Sequence, residues 1–190
     1  MLEKILETTN FIRSQYAQQP EVGIILGTGL GELVNEIEVE LAIPYESIPN
    51  FPVSTVHGHK GRLIFGKLSG RTIVAMQGRF HYYEGYTMQE VTFPVRVMQQ
   101  LGIGLLVVSN ASGGLKQEFE VGDLMLISDH INLMPNPLIG KNDDRIGTRF
   151  PDMSDAYDHR ILQMAHKVAR RCNIKVHEGI YAAVTGPTFE

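Results

Sequence analysis

Three times in this chain a short apolar run stops at a glycine-bearing loop. Val22 to Leu26 runs into Gly27-Thr-Gly-Leu-Gly31, Arg71 to Met76 into Gln77-Gly78-Arg79, and Leu105 to Ser109 into Asn110-Ala-Ser-Gly-Gly114. Apolar, β-branched runs of this length read as strands, and the segments between them carry helical spacing. Alternation of that kind predicts an α/β fold: a mixed, largely parallel twisted sheet flanked by helices. In open sheets of this class ligands sit beyond the carboxyl ends of the strands. The three loops all fall there and are expected to converge on one cleft.

The remaining elements fill in this frame. Helices are expected over residues 2–18, closed off by Pro20, briefly over 30–36, over 88–101 despite Pro94, and over 159–172. The last should bury Ile161, Leu162, Ala165, Val168 and Ala169. Val39, Leu41 and Ile43 alternate with Glu38 and Glu40, which suits a strand with a solvated face. Residues 62–68 and 71–76, joined at Ser69-Gly70, form a hairpin. Leu105 to Ser109 and Asp123 to Ser128 read as buried strands, and residues 175–185 as a final one. Pro44 to Gly61 and residues 134–158 keep neither period, and irregular stretches that long are usually functional or form interfaces. With no repeat or linker, the 190 residues read as one domain.

A net charge of −4 without any Lys/Arg run excludes the basic face of a nucleic-acid or membrane-surface binder, so an anion site must be local. The single cysteine, Cys172, cannot form an internal disulfide, fits a reducing compartment, and is expected half-buried on its helix. The start, Met-Leu-Glu-Lys, lacks an apolar signal region, and no apolar run reaches about 18 residues. The reading is cytoplasmic.

Local chemistry concentrates in Gln77 to Tyr86. If the extended backbone continues past Met76, Arg79, His81 and Tyr83 share one face. Arg offers a planar fork for phosphate, His a ring donor, and Tyr a partner for a sugar hydroxyl. The competing reading of Arg79 is a surface ion pair with Glu84. Gly27 to Gly31 is either a tight strand-to-helix turn or an anion cradle, and Thr28 between two glycines favours the cradle. Glu32 stands where a dinucleotide fingerprint needs its third glycine, which disfavours a nicotinamide oxidoreductase. His57 and His59 suit a glycine-rich anion or gating loop better than a metal, since no third ligand stands at zinc-like spacing. Asp129 and His130 read as a structural pair before a catalytic one. No Gly-x-Ser-x-Gly elbow or activated cysteine supplies a nucleophile, so a bound phosphate could itself be one.

These motifs, with His57-Gly-His59, Asp129-His-Ile-Asn-Leu133, Phe150-Pro-Asp-Met-Ser-Asp-Ala-Tyr157 and Gly186-Pro-Thr-Phe-Glu190, resemble in order those of the trimeric purine nucleoside phosphorylases. The branch acting on methylthioadenosine resembles the chain less. The resemblance implies phosphorolysis of inosine, guanosine and their 2′-deoxy forms in purine salvage, with inorganic phosphate as co-substrate and neither cofactor nor metal. It implies a phosphate site of Thr28, His59, Arg79, Phe80, His81 and the backbone N–H of Ala111. Tyr83 would meet the ribose, Phe189 the base, and Glu190 the N1–H edge of a 6-oxopurine, with His81 and Glu190 as the catalytic pair. Phe150 would reach the site of a neighbouring subunit in a homotrimer. Thr28 replaces the family's usual serine. The family's sequences also continue beyond the Phe-Glu pair, with an asparagine for the leaving base, a ribose-facing methionine and a late histidine. The chain is therefore expected to be a fragment that keeps the phosphate half of the site and is inactive alone. The alternative is a phosphate- or nucleoside-binding module without catalysis.

Overall fold

The computed structural model describes residues 1–27, 31–53 and 61–188. Its contacts cluster into two compact units, Met1–Ala111 and Ser112–Glu190.

The first unit holds a five-stranded mixed sheet in the order β2-β3-β4-β1-β5, formed by β1 (Val22–Leu26), β2 (Glu38–Pro44), β3 (Arg62–Leu68), β4 (Arg71–Gln77) and β5 (Leu105–Val108). β1 runs parallel to β4 and β5 on either side, while β2, β3 and β4 are antiparallel to one another. The β3–β4 hairpin forms as expected, because Ser69 and Gly70 both take positive φ (49° and 77°), the geometry of a two-residue turn that follows the sheet's twist. Ile64, Phe65, Val74 and Ala75 are fully buried along these two strands.

Two helices of this unit pack on each other, α1 (Leu2–Gln15) and α2 (Met88–Leu101). α1 stops short of the expected residue 18. Tyr16 turns extended (φ −137°), lays its ring 4.8 Å from that of Phe65, and donates its hydroxyl to Glu40. α2 runs through Pro94. Thr87 and Glu90 cap its start reciprocally, and left-handed Gly102 (φ 104°) closes its end. β5 is not the buried strand expected from its composition: it is the sheet's edge, with Val107 and Val108 43% and 54% exposed.

The second unit holds a separate parallel pair, β6 (Leu124–Asn132) and β7 (Val176–Ala183), and the helix α3 (His159–Arg171), capped by the Asp158 carboxylate. Two sheets thus stand where one was expected. β6 extends past Ser128, so Asp129 and His130 lie within the strand, beside a register irregularity between Ile127 and Asp129. Residues 134–158 carry no helix or strand. The expected inner face of α3 is corrected as well. Ala169 is its only buried residue, Ile161 and Val168 are 37% and 52% exposed, and Cys172 is exposed. A two-stranded sheet is too narrow to cover more than one stripe of a helix.

Candidate active site

Because β4, β1 and β5 are neighbours running the same way, their carboxyl ends lie side by side, and the chain leaves them at Gly78, Gly27 and Ser109. Ser109 donates its backbone N–H to the Ile25 carbonyl (3.0 Å), and its Oγ accepts from the Gly27 N–H (3.4 Å). A Cβ on Gly27 would stand 2.3 Å from the Ser109 carbonyl oxygen, so only glycine lets these strand ends approach.

At Gly78 the backbone turns left-handed (φ 104°) and β4 ends, so the extended conformation expected through Tyr83 does not continue. Arg79, His81 and Tyr83 come together by a different device, a single 3-10 turn over Tyr82–Glu84. His81 precedes that turn in an extended conformation, and Glu84 reaches back to cap it. One Glu84 carboxylate oxygen, Oε1, accepts from the His81 backbone N–H (2.8 Å) and lies 2.8 Å from His81 Nδ1. On the far side of the ring, Arg79 Nε donates to His81 Nε2 (3.0 Å), while Arg79 Nη1 donates to the Ser109 carbonyl (3.4 Å). The imidazole stacks on Tyr83, with centroids 4.8 Å apart and planes 14° from parallel. Glu84 is the partner of His81 here, where the sequence offered it as a partner for Arg79.

The Phe80 ring points into the core, 5.1 Å from Tyr45 and 6.0 Å from Tyr86. Any contact of Phe80 with an anion is thereby left to its backbone. The Tyr45 hydroxyl, whose pKa burial pushes far up, donates to the Gly78 carbonyl (2.7 Å), and Tyr86 donates to the Val53 carbonyl. Ala111, just past β5, is exposed. Thr28, His57, His59, Phe189 and Glu190 lie outside the described residues.

A hollow of about 470 Å³ in the first unit is lined by Ile24, Leu26, Val107, Glu32 and Glu36. Ser109, whose carbonyl accepts from Arg79, also lines it, and the hollow's two carboxylates disfavour an anion on that side of Ser109. In the second unit Phe150 is 86% exposed, under the guanidinium of Arg149 at 6.0 Å. Asp129 accepts from the backbone N–H of His130, whose Nδ1 lies 3.3 Å from the Tyr157 hydroxyl. Among the described residues no three His, Cys, Asp or Glu side chains are grouped to hold a metal, and no helix is long and apolar enough to cross a membrane.

The sequence reading gave Glu84 no positioning role and overlooked Ser109. Glu84 was findable, since a polar residue followed three positions later by glutamate is the signature of a reciprocal cap. Ser109 carries no such signal, because its contacts depend on strand order.

A mixed α/β sheet with an Arg–His pair just beyond the carboxyl end of a parallel strand is the architecture in which open α/β sheets hold small ligands. The comparisons with known proteins narrow this. Residues 21–190 match the family described as the phosphorylase superfamily. Purine nucleoside phosphorylase 1 of Geobacillus stearothermophilus is 56% identical over 187 residues, 98% of this chain and 68% of that protein. Its namesake in Bacillus subtilis is 53% identical over 191 residues, 100% of this chain and 70% of that protein. A crystal structure of isoform 2 of purine nucleoside phosphorylase from Schistosoma mansoni, in complex with cytosine and ribose-1-phosphate, superposes with a TM-score of 0.93 at 46% identity, covering 99% of this chain and 68% of that one. The chain belongs to the purine nucleoside phosphorylases of the phosphorylase superfamily.

Proposed function

We propose that the chain serves the phosphorolysis of purine nucleosides: inorganic phosphate attacks C1′, the C1′–N9 bond breaks, and free purine and ribose 1-phosphate result. The observation that carries this reading is the Arg79–His81 pair, which follows β4 and reaches the carbonyl of Ser109 at the carboxyl end of β5, across β1. A guanidinium grips phosphate through paired N–H groups, and a dianion held beneath C1′ both attacks and stabilises the positive charge that develops on the sugar. The Schistosoma structure, with its ribose-1-phosphate, supports the same product class.

The other roles follow the family pattern. Thr28, His59, the backbone of Phe80 and the Ala111 N–H complete the phosphate site, and Tyr83, stacked on His81, meets the ribose. Phe189 packs on the base, and Glu190 accepts from a 6-oxopurine, a contact adenine could not satisfy. Phe150, exposed on the irregular segment, reaches a second subunit of a homotrimer. The reaction uses no cofactor, and the enzyme is cytoplasmic.

The test is phosphate-dependent release of hypoxanthine from inosine. It is run on these 190 residues and on the same residues joined to the part of the Geobacillus protein that has no counterpart here, since the chain covers 68% of that relative. Little turnover is expected from the 190 residues alone and ready turnover from the fusion, with Arg79→Ala lowering it about 100-fold or more. Failure of a well-folded fusion to release base overturns the assignment and favours a binding module.

A further inference from the structure

Residues 134–158 contain no helix or strand, yet they are bound into a folded loop by their own hydrogen bonds. The Asn136 side chain accepts from the Leu138 N–H (2.8 Å), Asn142 Nδ2 donates to the Gly147 carbonyl (3.2 Å), and the Asp143 carboxylate takes both Nε and Nη2 of Arg145. Arg149 closes the neck. Its Nη1 donates to the carbonyls of Leu138 (3.0 Å) and Gly140 (2.7 Å), 11 and 9 residues earlier. Both acceptors are main-chain atoms, so the contact fixes one stretch of backbone against another. The next residue is Phe150, whose ring lies 6.0 Å from the Arg149 guanidinium and is 86% exposed. Beyond it, Asp152 accepts from the Ser154 N–H (2.9 Å) and hydroxyl (2.7 Å), and the Tyr157 hydroxyl reaches His130 Nδ1 on β6 (3.3 Å). The chain is therefore anchored on either side of a phenylalanine that is left in water.

We propose that Arg149 is a positioning residue: by closing the loop on Leu138 and Gly140 it pre-forms the backbone that presents Phe150 to the nucleoside site of a second copy of the chain. The inference rests on the reading of Phe150 given above and deepens it. A segment that must order as it docks loses conformational freedom at that moment, which weakens the contact, whereas one already held in place does not. Phe150 is thus ready before the copies meet. Because no group assigned to phosphate lies on this loop, loosening it should weaken nucleoside binding and spare phosphate binding.

The experiment is ¹⁵N relaxation of the full chain labelled at phenylalanine, with the Phe150 amide identified by its loss in Phe150→Leu. The expected wild-type order parameter at Phe150 is that of rigid backbone, about 0.85, falling below about 0.6 in Arg149→Met, which keeps an apolar stem and removes the donors. Arg149→Lys, whose ammonium can still donate to both carbonyls, should recover part of that order. A mobile Phe150 in the wild type overturns the proposal outright, including where Arg149→Met does not fold. A folded Arg149→Met chain with Phe150 as ordered as in the wild type overturns it too, since something other than Arg149 then does the ordering. In the fusion described above, Arg149→Met should raise the KM for inosine about tenfold and leave that for phosphate unchanged. An equal rise in both overturns the positioning role. A Phe150 that loosens in Arg149→Met, in a fusion whose inosine KM does not respond to Phe150→Ala, overturns the reading of Phe150 as a nucleoside contact while leaving the Arg149 closure standing.

Discussion

Gly27 and Ser109 are in such close contact that a single methyl group on the glycine would lie 2.3 Å from the serine carbonyl oxygen and 2.6 Å from the Asn110 Cα. Both obstacles are backbone, so no side chain can swing aside. Gly27→Ala must push the carboxyl ends of β1 and β5 apart, at a cost of about 1–3 kcal/mol. Because Ser109 also receives Arg79 Nη1, phosphate binding should weaken along with stability. Urea unfolding and phosphate calorimetry on the same variant check both halves, and an unchanged midpoint would show that the strand ends yield more easily than this contact implies.

Tyr45 fastens the start of the Arg79 segment from below. Its hydroxyl is buried and donates to the carbonyl of Gly78, the first residue after β4. Tyr45→Phe keeps the ring contacts with Phe51 and Phe80 but leaves that carbonyl without this donor. The expected loss is about 1–2 kcal/mol, or roughly 2–8 °C in melting temperature for a chain of this size. Thermal melts followed by circular dichroism measure it.

In the second unit, Asp123 ties the start of β6 to that of β7. Its carboxylate accepts from Lys175 Nζ (3.0 Å), His177 Nε2 (2.7 Å) and the Glu120 N–H (3.1 Å). These donors, Lys175 first, lower its pKa from 3.8 to about 2. A depressed carboxylate stabilises the fold above its unfolded pKa, and that stability is lost as pH falls through the folded value. The contribution should therefore be whole above about pH 4 and gone near pH 2. The carboxyl ¹³C shift of Asp123 should titrate with a midpoint near 2, and Asp123→Asn should be less stable than wild type at pH 5, by a margin that shrinks in that window. A midpoint near 4 would contradict the hydrogen-bonded arrangement.

The elements that could be read from sequence are those whose signals are local. The β3–β4 hairpin was legible because Ser69-Gly70 specifies its own turn, and α2 because Thr87 and Glu90 cap it while its apolar stripe repeats at helical spacing. Strand order is not local. The apolar residues of β5 look the same in an edge as in a centre, so the exposure of Val107 and Val108 could not be anticipated. The site shows the same division. Strand alternation was expected to put Arg79, His81 and Tyr83 on one face, whereas a left-handed Gly78 ends that geometry and a capped turn brings the three side chains together.

Helix α3 gives the sharpest case, since an apolar repeat tells which residues share a face and not whether anything covers it. Ala169 is 8% exposed and Val168, its neighbour in sequence, 52%. Val168→Lys should change the unfolding free energy of the chain by no more than about 0.5 kcal/mol, as surface substitutions do. Ala169→Asp, which forces a charge into a closed contact, should cost about 1–3 kcal/mol. Urea midpoints of the two variants, measured side by side, separate the faces. A large loss for Val168→Lys would mean that this stripe is covered in solution, and a concentration-dependent midpoint in the wild type would then identify a second copy as the cover.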